Sequence, residues 1–563
     1  MKFGRVAAIV SGAAISMSGL SALPAPSASA QGRSGQVGSA GGPVPHGGVV
    51  HVALGGGTFP DNFNPLVPGG PNSTAAGTGS LIYEPLMYAN VSRGTYTPML
   101  ATSYAWSRGN ETLNVTTRSG VKWSDGTSFS AADVAFTFNY LKAHSAVDTS
   151  GLWQLGLKSV TATGPNTVVF KFSQPMPVFL PFVLDQLIIP SHIWSNVTTA
   201  ITFANTHPVG TGPFLLKSFH PTEIEYTRNP DYWMPGRPYV SGVTMTTVKA
   251  GTAAALLNAG FDYIYDPIAD PATSYIASNP LDNHYWWPVT NVNFLYFNTS
   301  EAPFNNVAFR KAVAEALDDN AIAARAYYGA IPATTGAGET GVIPGQQAKW
   351  VPASMKSLEW TYDPSLAAAT LSVAGYRDVN GSLVSPSGSA LRPLKILIGF
   401  GWADYISIAE TIADELAPLG IHVVIDEEPY PTYTSLVTSA KYDMAVSWSV
   451  ANSVNPFFEY LFLLDGNNTT DWERYTSTAD TLALASFASH NSSAILKSDI
   501  ASIERDILTN VPVVALTGRP SFFDYSTKTF TGWPDAQDPY NSGEPPDAFN
   551  GGAEQVFLNV HLQ

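Results

Sequence analysis

The sequence predicts an α/β protein with two or more domains, and two observations support this prediction. The chain has 563 residues, which exceeds the roughly 250–300 residues at which a single hydrophobic core stops growing. Between residues 394 and 448, apolar strands alternate with an amphipathic helix. A strand–helix–strand order implies a right-handed crossover between two parallel strands. Strand and helix patterns are mixed along the rest of the chain as well.

Residues 1–30 have the features of a secretory signal peptide. A basic start precedes an apolar stretch at residues 6–23, and the small residues 28–30 form a cleavage site. A membrane anchor is the alternative, but prolines and small residues dilute a stretch already near the lower limit of about 17 residues for a span. Residues 31–47 are rich in Gly and Ser, which predicts a flexible linker. We therefore expect export to a periplasm or to the outside of the cell.

The composition excludes several classes of site and partner. The chain contains no cysteine, which excludes disulfides, thiol nucleophiles, cysteine–metal clusters and lipid attachment through a cysteine. It carries 44 Asp and Glu against 28 Lys and Arg, a formal net charge of −16. Because nucleic acids demand basic patches, we expect no nucleic-acid partner. Only 13 % of the residues are charged, against a usual ~25 %, which is compatible with an acidic extracellular medium.

Motifs that would indicate catalysis are absent from the sequence. The stretch 336–341 fits G-x-G-x-x-G, but no strong strand precedes it and no helix follows, so a loop is predicted there. The ten histidines are scattered without metal-ligand spacing, and no G-x-S-x-G elbow occurs. A triad or a carboxylate pair assembled from distant residues stays open. The sequence predicts no catalytic residue, no metal ligand and no cofactor.

Three helices are indicated by caps and by helical periodicity. Residues 129–141 begin with Ser130 as a capping residue and Asp133 three residues later, which is the pattern of a capping box. Residues 307–317 carry apolar side chains at helical spacing. The third helix, within residues 363–375, opens on an Asp-Pro pair and stops at a glycine.

The clearest strand–helix–strand unit extends from residue 394 to residue 448. Its strands are LKILIGF, IHVVI and YDMAVSW, and residues 404–417 form the helix between the first two. In open α/β sheets, ligands bind beyond the carboxyl ends of the parallel strands. These ends are near residues 400–402 and 447–452, and a binding site is predicted there.

Short motifs occur in order along most of the chain. They are Phe63–Leu66, Tyr83–Leu86, Pro98–Ala101, Val121–Gly126, Ala132–Val134, Gly210–Phe214, Arg228–Trp233, Phe294–Asn298, Arg310–Ala312 and Tyr362–Pro364. Each has a local explanation: the Asp-Gly pair within the fourth predicts a turn, and the sixth predicts a tight backbone bend. In this order they resemble the extracellular solute-binding proteins of family 5, the oligopeptide and dipeptide type (cluster C) of ABC importers.

The resemblance implies a periplasmic-binding-protein-like fold of type II, with two α/β lobes joined by a hinge and an extra α+β domain. The implied boundaries are 48–83, 190–289 and 518–563 for lobe I, 84–189 for the extra domain and 290–517 for lobe II. It also implies a monomer that is not an enzyme. Such a protein captures a peptide or similar small solute between its lobes and delivers it to an ABC permease in the membrane.

The resemblance departs from the peptide binders at one position. These proteins carry an aspartate shortly after a tryptophan, and the aspartate pairs with the amino terminus of the peptide. Here Trp448 and Pro456 match that segment, but the nearest polar residue is the neutral Asn452. A buried ammonium group without a carboxylate partner costs several kcal/mol. A neutral oligosaccharide is therefore the alternative ligand, since tryptophan also stacks on sugar rings; a secreted sensor or enzyme is a further alternative.

Seven residues are the predicted ligand contacts. Four of them lie at or beside the two strand ends, namely Trp402, Tyr405, Trp448 and Asn452. Three follow from approximate family position alone, namely Tyr83, Glu84 and Asn298. Glu84 is the carboxylate that could substitute for the missing aspartate.

Overall fold

The computed structural model describes residues 44–55, 58–67, 81–249, 251–265, 267–331, 341–448, 453–464, 472–543 and 551–563. The predicted signal peptide, the linker up to residue 43 and the predicted loop at 336–340 lie outside these ranges. The chain forms two compact units. Among the described residues, the N-terminal unit comprises Val44–Pro288 and Ser521–Gln563, and the central unit comprises Val289–Pro520.

The helices and strands of the described ranges are numbered in chain order. The strands are β1 (Val49–Gly55), β2 (Met87–Asn90), β3 (Thr95–Pro98), β4 (Ala101–Ser107), β5 (Thr112–Thr117), β6 (Leu157–Gly164), β7 (Thr167–Phe172), β8 (Phe214–His220), β9 (Glu223–Arg228), β10 (Gly242–Val248), β11 (Tyr263–Tyr265), β12 (Asn283–Trp286), β13 (Val289–Phe297), β14 (Arg377–Val379), β15 (Ser382–Val384), β16 (Leu394–Gly399), β17 (Val423–Glu428), β18 (Met444–Trp448), β19 (Val513–Pro520), β20 (Phe523–Ser526), β21 (Phe530–Thr531) and β22 (His561–Leu562). The α-helices are α1 (Ala131–Ala143), α2 (Leu152–Leu155), α3 (Leu180–Leu184), α4 (Ser191–Trp194), α5 (Ala253–Asn258), α6 (Pro271–Ser274), α7 (Val307–Ala316), α8 (Asp319–Tyr327), α9 (Pro344–Trp350), α10 (Pro364–Val373), α11 (Ala403–Leu416), α12 (Tyr430–Thr438), α13 (Phe457–Leu464), α14 (Thr478–Ser489), α15 (Ser493–Asn510) and α16 (Gly552–Asn559).

The N-terminal unit contains two main sheets. The larger sheet has the strand order β12-β20-β11-β1-β10-β9-β8, and β1 runs parallel to both β10 and β11. The smaller sheet has the order β4-β5-β7-β6 and is antiparallel throughout. Helix α1 packs on β6 and β7 of the smaller sheet. Val50 and Val52 of β1 are fully buried in the core of the larger sheet.

The start of α1 confirms the predicted capping box. The Ser130 hydroxyl accepts a hydrogen bond from the Ala132 amide at 3.2 Å, and Asp133 Oδ2 accepts one from the Ser130 amide at 2.9 Å. These two bonds satisfy amide groups that a helix start otherwise leaves without partners. The predicted turn just before the helix is confirmed too, because Gly126 has a φ of +89°, which glycine adopts without strain.

The predicted backbone bend at Gly210–Phe214 is explained by close packing of two backbone segments. The Gly212 amide donates to the Ile82 carbonyl oxygen at 2.9 Å. A Cβ atom at Gly210 would lie only 2.6 Å from the Ile82 carbonyl carbon, and one at Gly212 would lie 2.8 Å from the Leu81 carbonyl carbon. The two glycines are therefore required because no side chain fits between the segments.

The central unit is built on a five-stranded sheet with the order β17-β16-β18-β13-β19. β16 runs parallel to β17 and β18, which confirms the parallel pairing predicted for residues 394–448. β13 runs antiparallel to β18 and β19. The second strand, β17, begins at Val423 rather than at Ile421 as the sequence predicts. The Ile421 amide instead donates to the Leu416 carbonyl oxygen and so belongs to the turn that ends α11.

The other two predicted helices are confirmed in the central unit as α7 and α10. Asp363 caps α10 by accepting hydrogen bonds from the Ser365 and Leu366 amides, each at 2.9 Å.

On α7, Arg310 is only 3 % exposed. Its Nε donates to the Val511 carbonyl oxygen at 2.7 Å, and its terminal nitrogens donate to the carbonyl oxygens of Phe304 and Asn510. Arg310 thus joins α7 to the carboxyl end of α15.

Candidate ligand-binding site

Aromatic side chains gather at the carboxyl ends of β16 and β18 in the central unit. Trp448 is the last residue of β18, and Trp402 stands between β16 and α11. Their ring centroids are 5.2 Å apart, and Tyr405 lies 5.3 Å from the ring of Trp402 and 6.1 Å from that of Trp448. Tyr430 and Tyr433 lie 6.1 and 5.1 Å from Trp402. We call these five residues the aromatic edge.

The position of the Trp402 ring depends on the glycine that ends β16. A Cβ atom at Gly399 would lie 2.6 Å from Trp402 Cε3, so only a glycine lets the ring lie against the strand end. Gly401 has a φ of +77° and turns the chain from the strand into α11. Between the two glycines, Phe400 is 69 % exposed. This Gly-Phe-Gly-Trp segment therefore holds one ring on the sheet and extends another into solvent.

Replacing Gly399 by alanine is expected to displace the Trp402 ring. Inserting a methyl group into a packed site typically costs about 1–3 kcal/mol, and near-UV circular dichroism reports the altered ring environment. Gly164→Ala is the matched control, because a Cβ atom at Gly164 meets nothing within 4 Å. An unchanged spectrum and an unchanged melting temperature for Gly399→Ala would contradict this account of the ring.

A chain of hydrogen bonds lies beside the aromatic edge. The Tyr405 hydroxyl donates to Asn293 Oδ1 at 3.0 Å, and Asn293 Nδ2 donates to the Tyr327 hydroxyl at 2.6 Å. Asp404 lies close enough to Tyr327 to raise the pKa of its hydroxyl, and its carboxylate accepts from the Tyr405 amide at 3.0 Å. Four side chains from three elements are therefore held in fixed orientations.

Two charged residues, Arg519 and Asp404, lie beside the aromatic edge. The Arg519 guanidinium carbon lies 5.5 Å from the centroid of the Trp448 ring, within the range of a cation–π interaction. Burial raises the pKa of Asp404, and the charge of Arg519 opposes this rise. Burial likewise raises the pKa of Tyr405, which stays a neutral donor. The arrangement can stack on flat or apolar groups of a ligand and hydrogen-bond with its polar groups.

The structure brings together three of the seven predicted contacts, namely Trp402, Tyr405 and Trp448. Asn452 lies outside the described residues. Asn298 follows the carboxyl end of β13, which is antiparallel to β18, and so lies at the opposite end of the sheet from Trp448. Its side-chain amide donates to the Ala440 carbonyl oxygen at 2.9 Å. A ligand contact by Asn298 or Asn452 stays a prediction.

Tyr83 and Glu84 are buried within the N-terminal unit. The Tyr83 hydroxyl accepts a hydrogen bond from Asn205 Nδ2 at 2.7 Å. Glu84 Oε1 accepts from Trp233 Nε1 at 2.8 Å. Both side chains are fully inaccessible to solvent and are engaged in internal hydrogen bonds, and their ligand contacts likewise stay predictions.

Glu84 is one half of a buried pair of carboxyl groups. The Tyr232 hydroxyl lies 3.0 Å from Glu84 Oε1 and 2.8 Å from Glu554 Oε1. The single proton of the Tyr232 hydroxyl cannot form hydrogen bonds with both carboxyl oxygens. All contacts in this cluster become hydrogen bonds when one of the two carboxyl groups is protonated. Burial raises the pKa of Glu84, and burial together with the neighbouring Glu84 raises that of Glu554.

Sequence reasoning missed six residues of the site, namely Asn293, Tyr327, Asp404, Tyr430, Tyr433 and Arg519. Two of them interrupt apolar strands, since Asn293 stands inside VTNVNFLYF and Arg519 near the end of VVALTGRP. Asp404 lies between two predicted contacts in sequence. A search for polar residues inside apolar runs could have found Asn293 and Arg519, and a search beside the predicted contacts could have found Asp404, whereas no such signal marks the three tyrosines.

The described residues include no candidate site for a metal ion. They contain no group of three His, Asp or Glu side chains that could hold one. Over the same part of the chain, every helix is too short or too polar to cross a membrane.

Comparisons with known proteins bear on the site and on the fold. The family model "Bacterial extracellular solute-binding proteins, family 5 Middle" matches residues 95–471. The oligopeptide-binding protein AppA of Bacillus subtilis is 27 % identical over 365 residues, which are 62 % of this chain and 65 % of AppA. The chain thus spans slightly less than two thirds of the length of this relative.

Solved structures extend the likeness to nearly the whole chain. The periplasmic oligopeptide-binding protein of Thermotoga maritima has a TM-score of 0.81 at 23 % identity, over 92 % of this chain and 99 % of that one. The same protein with bound mannohexaose has a TM-score of 0.73 at 23 % identity, over 92 % and 98 % of the two chains. The predicted fold class is confirmed by these superpositions.

Proposed function

Since the chain belongs to the bacterial extracellular solute-binding proteins of family 5, we propose that it captures a peptide outside the cytoplasm and delivers it to an ABC permease. The aromatic edge is the observation that carries this proposal. Its rings stand at the carboxyl ends of parallel strands, which is where ligands bind in open α/β sheets. Trp402, Tyr405 and Trp448 are the proposed contacts.

A neutral oligosaccharide is the second candidate ligand. Asp404 already has Tyr327, the Tyr405 amide and the nearby Arg519 as partners, which leaves it poorly placed to pair with the amino terminus of a peptide. The sequence has Asn452 where peptide binders of the family carry an aspartate. The Thermotoga maritima relative has been solved with mannohexaose, so this fold accommodates such a ligand.

The family and the sequence support the rest of the proposal. Family 5 consists of extracellular binding proteins, and the signal-peptide pattern of residues 1–30 supports export to a periplasm or to the medium. We further propose that the chain acts as a monomer and has no catalytic activity. Sedimentation of the purified protein at micromolar concentration tests the first of these two statements.

A thermal-shift screen tests the choice of ligand. Di- to hexapeptides and neutral oligosaccharides are tested in parallel, because a ligand that binds only the native state raises the melting temperature by mass action. A peptide that loses its effect when its amine is acetylated supports the first candidate. Shifts from oligosaccharides alone support the second, and an absence of shifts with both libraries contradicts the two proposals.

Trp448→Ala is expected to weaken binding of any ligand found in this screen at least tenfold. Truncation of a central aromatic contact typically costs more than about 1 kcal/mol, and about 1.4 kcal/mol corresponds to tenfold. Isothermal titration calorimetry measures the change. Tyr362→Ala is the control, because Tyr362 belongs to the same unit but is 49 % exposed and lies outside the aromatic edge. Equal affinities for the two variants would place the ligand elsewhere.

A further inference from the structure

An open cavity lies within the N-terminal unit and has no residue in common with the aromatic edge. Its volume is about 720 Å³, which is within the usual range of roughly 300–1,000 Å³ for small-molecule sites. One wall is formed by β4, β5 and the residues that follow β5, and the other by the segment Trp233–Pro235. No acidic residue lines it, although the chain as a whole carries a net charge of −16.

Arg118 is held in this cavity by two contacts. Its Nε donates to the Met99 carbonyl oxygen at 2.9 Å, and its guanidinium carbon lies 4.0 Å from the centroid of the Trp233 ring. Trp233 is itself fixed, because its Nε1 donates to the buried Glu84. A guanidinium group stacked on an indole ring in this way is oriented before any ligand arrives.

The two terminal nitrogens of Arg118 donate to no acceptor among the described residues. A guanidinium group with both terminal nitrogens available binds a carboxylate through two parallel hydrogen bonds. Behind the Trp233 ring, burial raises the pKa values of both Glu84 and Glu554, so this carboxyl pair carries at most one negative charge.

Hydroxyl and amide groups stand beside this cation. Thr116, Ser119 and Asn166 line the cavity, are at least partly exposed, and offer donors and acceptors. Thr117 also lines it but is only 2 % exposed, and its hydroxyl is buried.

We propose that this cavity binds a hydroxycarboxylate, a small molecule with a planar carboxylate next to hydroxyl groups. The carboxylate pairs with the terminal nitrogens of Arg118. The ligand hydroxyls hydrogen-bond with the hydroxyl of Ser119 and with the amide of Asn166. The site is separate from the one proposed for the transported solute, so binding at one does not require the residues of the other.

Isothermal titration calorimetry of the full chain with D-gluconate tests the proposal, with D-sorbitol as the uncharged analogue. We expect D-gluconate to bind and D-sorbitol to bind at least tenfold more weakly. Arg118→Met should weaken binding of D-gluconate at least tenfold, whereas Trp448→Ala should leave it unchanged. Absence of D-gluconate binding to the unmodified protein would overturn the proposal.

Ser119→Ala keeps the test decisive if Arg118→Met fails to fold, since Ser119 is exposed and the substitution removes only its hydroxyl. This variant should bind D-gluconate several-fold more weakly and melt at the same temperature as the unmodified protein. Unchanged affinity in Ser119→Ala together with loss of binding in Trp448→Ala would move the ligand to the aromatic edge and refute the proposed site.

Discussion

Both units of the protein are expected to unfold at a lower temperature at pH 8 than at pH 5. Most globular proteins lose stability when their carboxylates are protonated; here several buried carboxyl groups favour the protonated form. We expect the melting temperature to be highest near pH 4–5 and to fall steadily above it. The low proportion of charged residues, 13 % of the chain, is consistent with a protein that is most stable at mildly acidic pH.

In the N-terminal unit, burial raises the pKa of Asp262 to about 6, although the His51 amide donates to its carboxylate at 2.8 Å and lowers it. The pKa values of the buried pair Glu84 and Glu554, which faces Tyr232, are raised as well. For Asp262 and for one carboxyl group of this pair, the protonated form is the one that the fold accommodates.

The central unit contains its own groups of this kind. Burial raises the pKa of Glu415 to about 7, and the charges of Asp318 and Asp414 add to the rise. Asp480, on α14, is fully buried; burial and the neighbouring Asp506 of α15 raise its pKa. Tyr475 donates to the same Asp506 at 2.6 Å. The two acids thus share one hydrogen-bonded cluster.

The sign of the effect follows from proton binding. A carboxyl group whose pKa is raised in the fold stabilises the fold fully below the unfolded pKa, and this stabilisation is lost as the pH rises through the folded pKa. For Asp262 the window is therefore about pH 4 to 6. The loss across this window is about 3 kcal/mol, because a tenfold change in proton affinity corresponds to about 1.36 kcal/mol. For a domain of this size, such a loss corresponds to a fall in melting temperature of roughly 5–10 °C.

Carboxyl groups whose pKa is lowered in the fold set the lower pH limit of the range in which the protein is most stable. Burial alone would raise the pKa of Asp443, but hydrogen bonds from Arg392 and from the Lys395 amide lower it. That stabilisation is present above the unfolded pKa and disappears as the pH falls through the lowered one. The stability maximum therefore lies above the pH at which Asp443 becomes protonated.

Scanning calorimetry between pH 4.5 and pH 8 measures the predicted fall. Asp262→Asn should flatten the pH dependence of one transition, and Asp480→Asn that of the other. Glu301→Gln is the control in the central unit, because Glu301 is exposed and should leave both slopes unchanged. A melting temperature that rises from pH 5 to pH 8 in the unmodified protein would contradict the prediction.

Arg310→Met is expected to destabilise the central unit by about 4 kcal/mol. The substitution keeps much of the apolar volume but removes the donors that reach the carbonyl oxygens of Phe304, Asn510 and Val511. A buried acceptor that loses its partner costs about 1–3 kcal/mol. Urea unfolding followed by circular dichroism measures the difference.

Lys311→Met is the matched control for this experiment. Lys311 is the next residue on α7, its side chain is 48 % exposed, and its nitrogen lies 3.8 Å from Glu315 Oε1. The Glu315 side chain is only 3 % exposed, but Lys311 is open to solvent and its nitrogen is distant, so this ion pair should contribute at most about 1 kcal/mol. A loss below about 1 kcal/mol in Arg310→Met would mean that water replaces the guanidinium group at those carbonyl oxygens.

The parts of the fold that depend on neighbouring residues are predictable from the sequence. The capping box of Ser130 and Asp133 involves residues three positions apart, and the turn at Gly126 follows from a single dipeptide. The strand ends at Trp402 and Trp448 can be located because the apolar runs stop there. The ordered motifs then identify the overall architecture, since each corresponds to a cap, a turn or a close approach.

The partners of the site residues are not predictable in this way. Tyr405 and Asn293 are 112 residues apart in sequence, and they meet because β13 is the neighbour of β18 in the sheet. No local pattern determines that neighbour. Similarly, Tyr232 and Glu554 are separated by 322 residues, so the internal hydrogen bonding of Glu84 could not be foreseen from its family position.

The strand order of the N-terminal unit has a consequence for the proposed export. β20, from the last part of the chain, lies between β12 and β11, whereas the central unit is one uninterrupted segment. A polypeptide that leaves a translocation pore amino terminus first can complete the central unit while β11 and β12 still lack their shared neighbour. Those strands are then open edges, which promote aggregation. Proteolytic cleavage before Ser521 would remove β20 and leave both edges open permanently. We therefore expect quality-control proteases outside the membrane to degrade chains cleaved there before they degrade the full-length protein.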